Sequence, residues 1–143
     1  MDKMWTNDSL FWEEEASYIL EKAAEILGED FSQKEISLVL ANDQKVQSLN
    51  HEFRHKNKPT NVLSFPSDEA DELGDIILAH ETIVREAEEK GISLLHHTLH
   101  LIVHGFLHLL GYVHEEENEA LHMEAVEIKI LKTLNISNPY EDK

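Results

Sequence analysis

Cysteine is absent from the chain, and this absence excludes several kinds of site. Without thiolates the protein forms no disulfide, iron–sulfur cluster or cysteine-ligated zinc site. Any bound metal must therefore be held by His, Asp or Glu, and the chain has ten histidines. Long apolar runs are also missing, so we expect no membrane-spanning segment. The N-terminal segment lacks the basic start and apolar core of a signal peptide. We therefore expect a cytoplasmic protein that does not bind membranes.

Positive charge is scarce. The chain has 12 Lys and Arg against 29 Asp and Glu, which gives a formal net charge of −17. Such a balance argues against general binding of nucleic acid, because phosphate binding needs cations. One segment departs from this acidic composition. The stretch HEFRHKNK, residues 51–58, contains three cationic residues close together, Arg54, Lys56 and Lys58. The charge pattern is compatible with the solvated end of a helix and with a local phosphate-binding surface.

Length and composition suit one domain with one core. The chain has 143 residues, of which 41% are hydrophobic and 29% charged, as in ordinary globular proteins. We predict a single domain over residues 1–143, with its core at about 10–133 and a disordered acidic tail at 138–143.

Hydrophobic periodicity predicts an α+β fold. Helical spacing and stop signals predict helices at 10–27, 80–90, 93–110 and 115–133, and a helix of about 13 residues beginning at Asn42 or Asp43. Short apolar runs predict strands at 36–41, 61–65 and 74–79. The order is helix, strand, helix, two strands and three helices. We therefore expect a small mixed β-sheet packed against several helices.

The stretch HGFLHLLGYVH, residues 104–114, has the spacing of a metal site. His104 and His108 are four residues apart, so on a helix they lie on the same face. Gly111 can end that helix in the left-handed conformation, and the returning chain can present His114 to the same point. Three imidazoles around Zn²⁺ leave one position open for water, as catalytic zinc sites do. We predict one Zn²⁺ per chain at these three histidines.

The same spacing is the zinc-binding pattern of the metzincin proteases, with one difference. Those proteases carry Glu after the first His as general base, whereas this chain has Gly105. Glycine cannot accept a proton from water, so the pattern favours zinc-assisted chemistry on another substrate. Not every histidine is expected to bind metal. Surface or hydrogen-bonded core roles are expected for His96, His97, His100 and His122.

Several motifs together resemble the YbeY family. HGFLHLLGYVH resembles its H-G-x-L-H-L-x-G-Y-D-H signature, KPTNVLSFP at 58–66 resembles its K-P-T-D-V-L-S-F-P, and LGDIILA at 73–79 resembles its L-G-D-I segment. The stretch Asn50–Arg54 resembles the family's N-x-x-y-R motif. Met123 and Glu127 match the M-x-x-x-E motif near the end of the family's sequence. The resemblance covers roughly residues 36–131 in collinear order.

The resemblance implies a function. It implies a metal-dependent, single-strand-specific endoribonuclease that acts in ribosomal RNA maturation, at the 3′ end of 16S RNA, and in ribosome quality control. Its partners would be single-stranded ribosomal RNA and the small ribosomal subunit. Carried over by position, His104, His108 and His114 would be the zinc ligands, on a metzincin-like zinc helix.

The resemblance also implies a role for the basic segment. Arg54 would be the functional arginine near the metal, with Lys56 and Lys58 as further substrate-binding groups. A guanidinium can grip a phosphate through paired N–H donors. The chain departs from the family at two Asp positions, which here are Val113 and Asn61.

Two other functions stay open at this point. One is a non-catalytic, metal-binding ribosome-assembly factor, in which Val113 and Asn61 mark a decayed active site. The other is an atypical zinc peptidase with Glu115 or Glu116 as its base. Loss of RNA cleavage with retained subunit binding would favour the first, and metal-dependent peptide cleavage would favour the second.

Overall fold

A computed structural model describes residues 9–28, 35–54, 61–68, 71–112 and 116–136, excepting the side chains of residues 9–14, 53 and 54. Within these ranges the chain forms five helices and three strands: α1 (Ser9–Leu27), β1 (Glu35–Ala41), α2 (Asp43–Arg54), β2 (Val62–Pro66), β3 (Glu72–Ala79), α3 (His80–Lys90), α4 (Leu94–Leu109) and α5 (Glu117–Lys132). The predicted α+β class is confirmed. The tail at 138–143 lies outside the described residues. In the part of the chain that is described, no helix is both long enough and apolar enough to cross a bilayer.

The sheet is mixed, as expected, with β3 in its centre. β1 runs parallel to β3 and β2 runs antiparallel to it. Side chains alternate across β3 because successive residues of a strand point to opposite faces. Ile76 and Leu78 enter the main core, while Ile77 and Ala79 join a smaller apolar cluster with residues of α2. Both faces of the central strand are thus covered by other elements.

The start of β3 was predicted wrongly, because the strand begins two residues earlier than expected. The strand predicted at 74–79 left out Glu72, but Glu72 pairs with Glu35 of β1. The backbone N–H of Ser67 also donates to the carbonyl of Leu73, over 3.0 Å. Backbone pairing with two neighbours therefore extends the strand through residues whose side chains are polar, since strand hydrogen bonds do not depend on side-chain type.

Helix α4 is the central element. It packs against β2 and β3 on one side and contacts α1, α3 and α5. At its N-terminus the Ser93 hydroxyl accepts a hydrogen bond from the backbone N–H of His96, over 3.0 Å. Such a cap satisfies one of the N–H groups left unpaired by the first helical turn.

Gly105 lies where α4 comes closest to the sheet. A Cβ atom at this position would lie 3.0 Å from both Ser64 Oγ and Ile76 Cγ2. These contacts are tighter than ordinary van der Waals packing, so a side chain at position 105 would force its neighbours in the sheet to shift. Position 105 thus faces the sheet.

Candidate metal centre

His104 and His108 bring two imidazoles together on one face of α4. Their Nε2 atoms lie 3.1 Å apart, and the ring planes are inclined at 81°. Both residues are half-buried, with 25% of the His104 side chain exposed. The i,i+4 spacing thus produces the pair that the sequence predicted, at a place that solvent can reach.

The end of α4 determines which nitrogen of His108 faces His104 and could bind a metal. Gly111 ends the helix in a left-handed conformation, with φ +98°. Two backbone hydrogen bonds of 3.0 Å close the helix end: Gly111 N–H donates to the His108 carbonyl, and Tyr112 N–H donates to the Leu107 carbonyl. This is the Schellman arrangement. The Tyr112 carbonyl then lies 3.0 Å from His108 Nδ1. A carbonyl can only accept, so Nδ1 carries the hydrogen and Nε2 presents a lone pair.

Glu127 of α5 fixes the tautomer of His104 in the same way. Its Oε1 lies 2.5 Å from His104 Nδ1, and its Oε2 lies 3.1 Å from His100 Nε2. The Glu127 side chain is fully buried. An ionised carboxylate only accepts hydrogen bonds, so His104 donates from Nδ1 and directs the lone pair of Nε2 towards His108. A carboxylate or carbonyl partner of this kind is usual for histidines that bind metals.

The donor set fits a metal ion. Two Nε2 lone pairs that face each other at 3.1 Å repel unless a proton or a cation lies between them. On a tetrahedral zinc with Zn–N of about 2.0–2.1 Å, two imidazole nitrogens are separated by roughly 3.3 Å. The observed separation is close to that value. In the described ranges no third His, Asp or Glu completes a ligand group.

The remaining predicted site residues lie mostly beyond what is described. His114 and Val113 fall in the gap at 113–115, with Glu115, and Lys56 and Lys58 fall in the gap at 55–60. Arg54 is the last residue of α2, and its side chain is not described. Their roles therefore stay predictions.

Asn61 belongs to a separate polar cluster. Its Nδ2 donates to Glu86 Oε1 over 3.0 Å, and the same oxygen lies 2.9 Å from Nε2 of the buried His97. Burial would raise the pKa of Glu86, but the hydrogen bond from Asn61 and the bond and charge of His97 lower it below its ordinary value. Burial lowers the pKa of His97, against the opposing effect of Glu86. Asn61 thus serves as a donor to a carboxylate, which an ionised Asp could not do.

The other expectations for histidines are confirmed. His97 and His100 are buried and hydrogen-bonded to carboxylates, whereas His96 and His122 are exposed. The His122 ring stacks on Tyr112, with centroids 5.6 Å apart and planes inclined at 17°.

Sequence reasoning did not assign the role of Glu127. The signal was present, because Glu127 lies in the buried stripe of α5 among apolar residues at helical spacing. That stripe comprises Met123, Ile130 and Leu131. A carboxylate in such a stripe needs buried hydrogen-bond partners, and the histidine-rich α4 was an available source of them.

Comparisons with known proteins identify relatives over most of the chain. The family model described as Endoribonuclease YbeY matches residues 3–135. A protein of Rhodospirillum rubrum named Endoribonuclease YbeY is 52% identical over 118 residues, which cover 76% of this chain and 59% of that protein. One of the same name from Novosphingobium aromaticivorans is 44% identical over 155 aligned positions, covering 98% of this chain and 92% of that one.

A solved structure is similar as well. The solution structure of a Thermotoga maritima protein superposes with a TM-score of 0.59 at 26% sequence identity, covering 93% of this chain and 91% of that one. The similarity therefore extends over nearly the whole of both chains.

Proposed function

Because the chain belongs to the YbeY endoribonuclease family, we propose that it is a metal-dependent endoribonuclease that cleaves single-stranded RNA. The metal dependence is supported by one observation: the Nε2 atoms of His104 and His108 lie 3.1 Å apart. The Nδ1 atom of each ring donates a hydrogen bond to an acceptor, which leaves Nε2 to face the metal. The proposed setting is the cytoplasm. There the protein would act with the small ribosomal subunit in maturation of the 16S RNA 3′ end and in ribosome quality control.

The proposed cofactor is one Zn²⁺ per chain, held by His104, His108 and His114 on a metzincin-like zinc helix. Neutral imidazoles are favoured ligands of zinc, and the partners of His104 and His108 keep both rings in the metal-binding tautomer. When bound, zinc would lower the pKa of water to about 7 and polarise a phosphoryl oxygen. Glu127 would keep the His104 ring aimed at the ion.

The proposed substrate contacts come from the basic segment. Arg54 would grip a phosphate through two parallel N–H donors, and Lys56 and Lys58 would neutralise the phosphates on either side. Because the chain as a whole is acidic, attraction of RNA would be confined to this segment.

Gly105 disfavours the peptidase alternative. In a metzincin protease the residue after the first His is the general base, but here that position packs on Ser64 and Ile76. Any side chain there would have to displace those two neighbours. The proposed chemistry therefore needs no protein base at residue 105.

Cleavage of end-labelled RNA tests the proposal. The control variant is His96→Ala, which changes an exposed histidine of α4. Wild type and this control should both cut single-stranded RNA and leave duplex RNA intact. Chelation should stop cleavage and added zinc should restore it, while His108→Ala should be inactive though folded. A clean preparation that never cuts RNA but cosediments with small subunits would contradict the nuclease and favour the assembly factor. Zinc-dependent casein cleavage would favour the peptidase.

A further inference from the structure

A pocket adjoins the candidate metal centre and has no role in the function proposed above. It has a volume of about 280 Å³ and is lined by Leu110, Gly111, Tyr112, Glu119 and His122. Pockets for drug-sized ligands measure about 300–1,000 Å³, so this one suits a single small ring system. Its lining combines a stacked pair of rings, Tyr112 on His122, with one carboxylate.

Both walls of the pocket are tied to the metal-binding histidines. Tyr112 accepts a hydrogen bond from His108 through its carbonyl. Glu119 and His122, three residues apart on α5, form the other wall, and the same helix carries Glu127, which holds His104. The elements that form the pocket, the end of α4 and the first turns of α5, are therefore those whose hydrogen bonds hold the two imidazoles.

The chemistry of the lining points to a base rather than a phosphate. Aromatic side chains bind single-stranded RNA by stacking on its bases, and the exposed His122 offers a ring for this. Glu119 would repel a phosphate but can accept hydrogen bonds from a base edge. In the described part of the chain no hydrogen bond or ion pair joins the Glu119 carboxylate to another residue.

We propose that this pocket binds a guanine base of the RNA substrate next to the cleaved bond. A carboxylate needs two adjacent donors for a bidentate contact, and guanine presents N1–H and N2–H₂ side by side. Adenine and cytosine place a ring-nitrogen acceptor beside their amino group, and uracil flanks its N3–H with two carbonyls. Guanine is thus the base whose Watson–Crick edge matches Glu119. The proposal rests on the proposed nuclease function for its biological setting, but the binding step is independent of catalysis.

Titration of the full chain with GMP, AMP, CMP and UMP, followed by NMR, tests the proposal. The phosphate is common to all four, so differences between them report on the base. GMP should bind tightest. Glu119→Gln should weaken GMP by roughly 5- to 150-fold, the range for one bidentate base contact, and leave the other three nearly unchanged. His122→Ala should weaken all four, because stacking accepts any base.

The control is Glu117→Gln, which changes an exposed carboxylate of the same helix that does not line the pocket. It should preserve the preference for GMP. Equal affinities of wild type for all four nucleotides, no detectable binding at millimolar concentration, or a guanine preference that survives Glu119→Gln would overturn the proposal. RNA cleavage without guanine preference would refute guanine binding by the pocket and leave the proposed nuclease function intact. Guanine-selective binding without RNA cleavage would refute the nuclease alone.

Discussion

Replacing Glu127 by glutamine or by leucine separates the charge of this carboxylate from its hydrogen bonds. Glutamine keeps the shape, and its oxygen can still accept from His104 Nδ1–H while its amide donates to His100. Leucine removes the acceptor from both imidazoles. Partners of metal-binding histidines contribute about 10- to 100-fold to metal affinity. We therefore expect zinc affinity to fall about tenfold in Glu127→Gln and about 100-fold in Glu127→Leu, which corresponds to about 1.4 and 2.7 kcal/mol.

The metal-free protein should respond to the same substitutions. Glu127 is fully buried, so leucine leaves two imidazoles without the acceptor that the carboxylate supplied. Loss of a buried hydrogen-bond partner costs about 1–3 kcal/mol. Glu127→Leu should therefore lower the free energy of unfolding by about that amount, and Glu127→Gln by less.

Competition with a chromophoric chelator measures zinc affinity, and urea denaturation of the metal-free protein measures stability. The control is Glu124→Gln, on the same helix but half-buried, which should change neither quantity. Wild-type zinc affinity in a folded Glu127→Leu variant would refute the role assigned to the carboxylate. Equal losses in the two variants would show that the charge of Glu127 accounts for the whole effect, and an unchanged zinc affinity in Glu127→Gln would show that the charge is irrelevant.

Three further predictions concern Gly105, His97 and Arg54. Gly105→Ala should lower the free energy of unfolding, measured in urea, by up to about 2 kcal/mol, because an overpacking cost of about 1–3 kcal/mol outweighs the gain of about 1 kcal/mol in helix propensity; a stabilised variant would contradict the close helix–sheet contact. Burial lowers the pKa of His97 in the folded protein below its ordinary value of 6.5. The contribution of the neutral ring to stability is therefore complete above pH 6.5. It is lost as the pH falls towards the pKa of the folded protein, at no more than about 1.4 kcal/mol per pH unit. His97→Gln should therefore flatten the pH dependence of stability just below pH 6.5, and an unchanged slope would refute this. Arg54→Ala should weaken RNA binding and reduce its logarithmic salt slope by about one; an unchanged slope in a salt titration would exclude a phosphate contact.

Features of the fold that depend on local sequence were predictable. The helix cap at Ser93 and the helix end at Gly111 depend on residues within one turn of them. The pairing of His104 with His108 follows from helical spacing alone. These features need no knowledge of the tertiary structure.

Features that depend on tertiary contacts were not predictable from one sequence. Glu127 reaches His104 across 23 residues of sequence, because α4 and α5 pack together, and no local pattern specifies which carboxylate arrives. The absence of a base at Gly105 was visible in the sequence, but the contact of this position with Ser64 and Ile76 of the sheet was not. The start of β3 was missed for the same reason, since it depends on pairing with β1.

The metal content of the purified, untagged protein tests the central claim most directly. Plasma mass spectrometry of wild type and His96→Ala should find about one zinc per chain, and His108→Ala and His114→Ala purified identically should have lost most of it. That result would support a site built from α4 and the residue that follows its turn. A wild-type protein without metal after zinc is offered, or a His114→Ala variant that retains a full equivalent, would contradict the account.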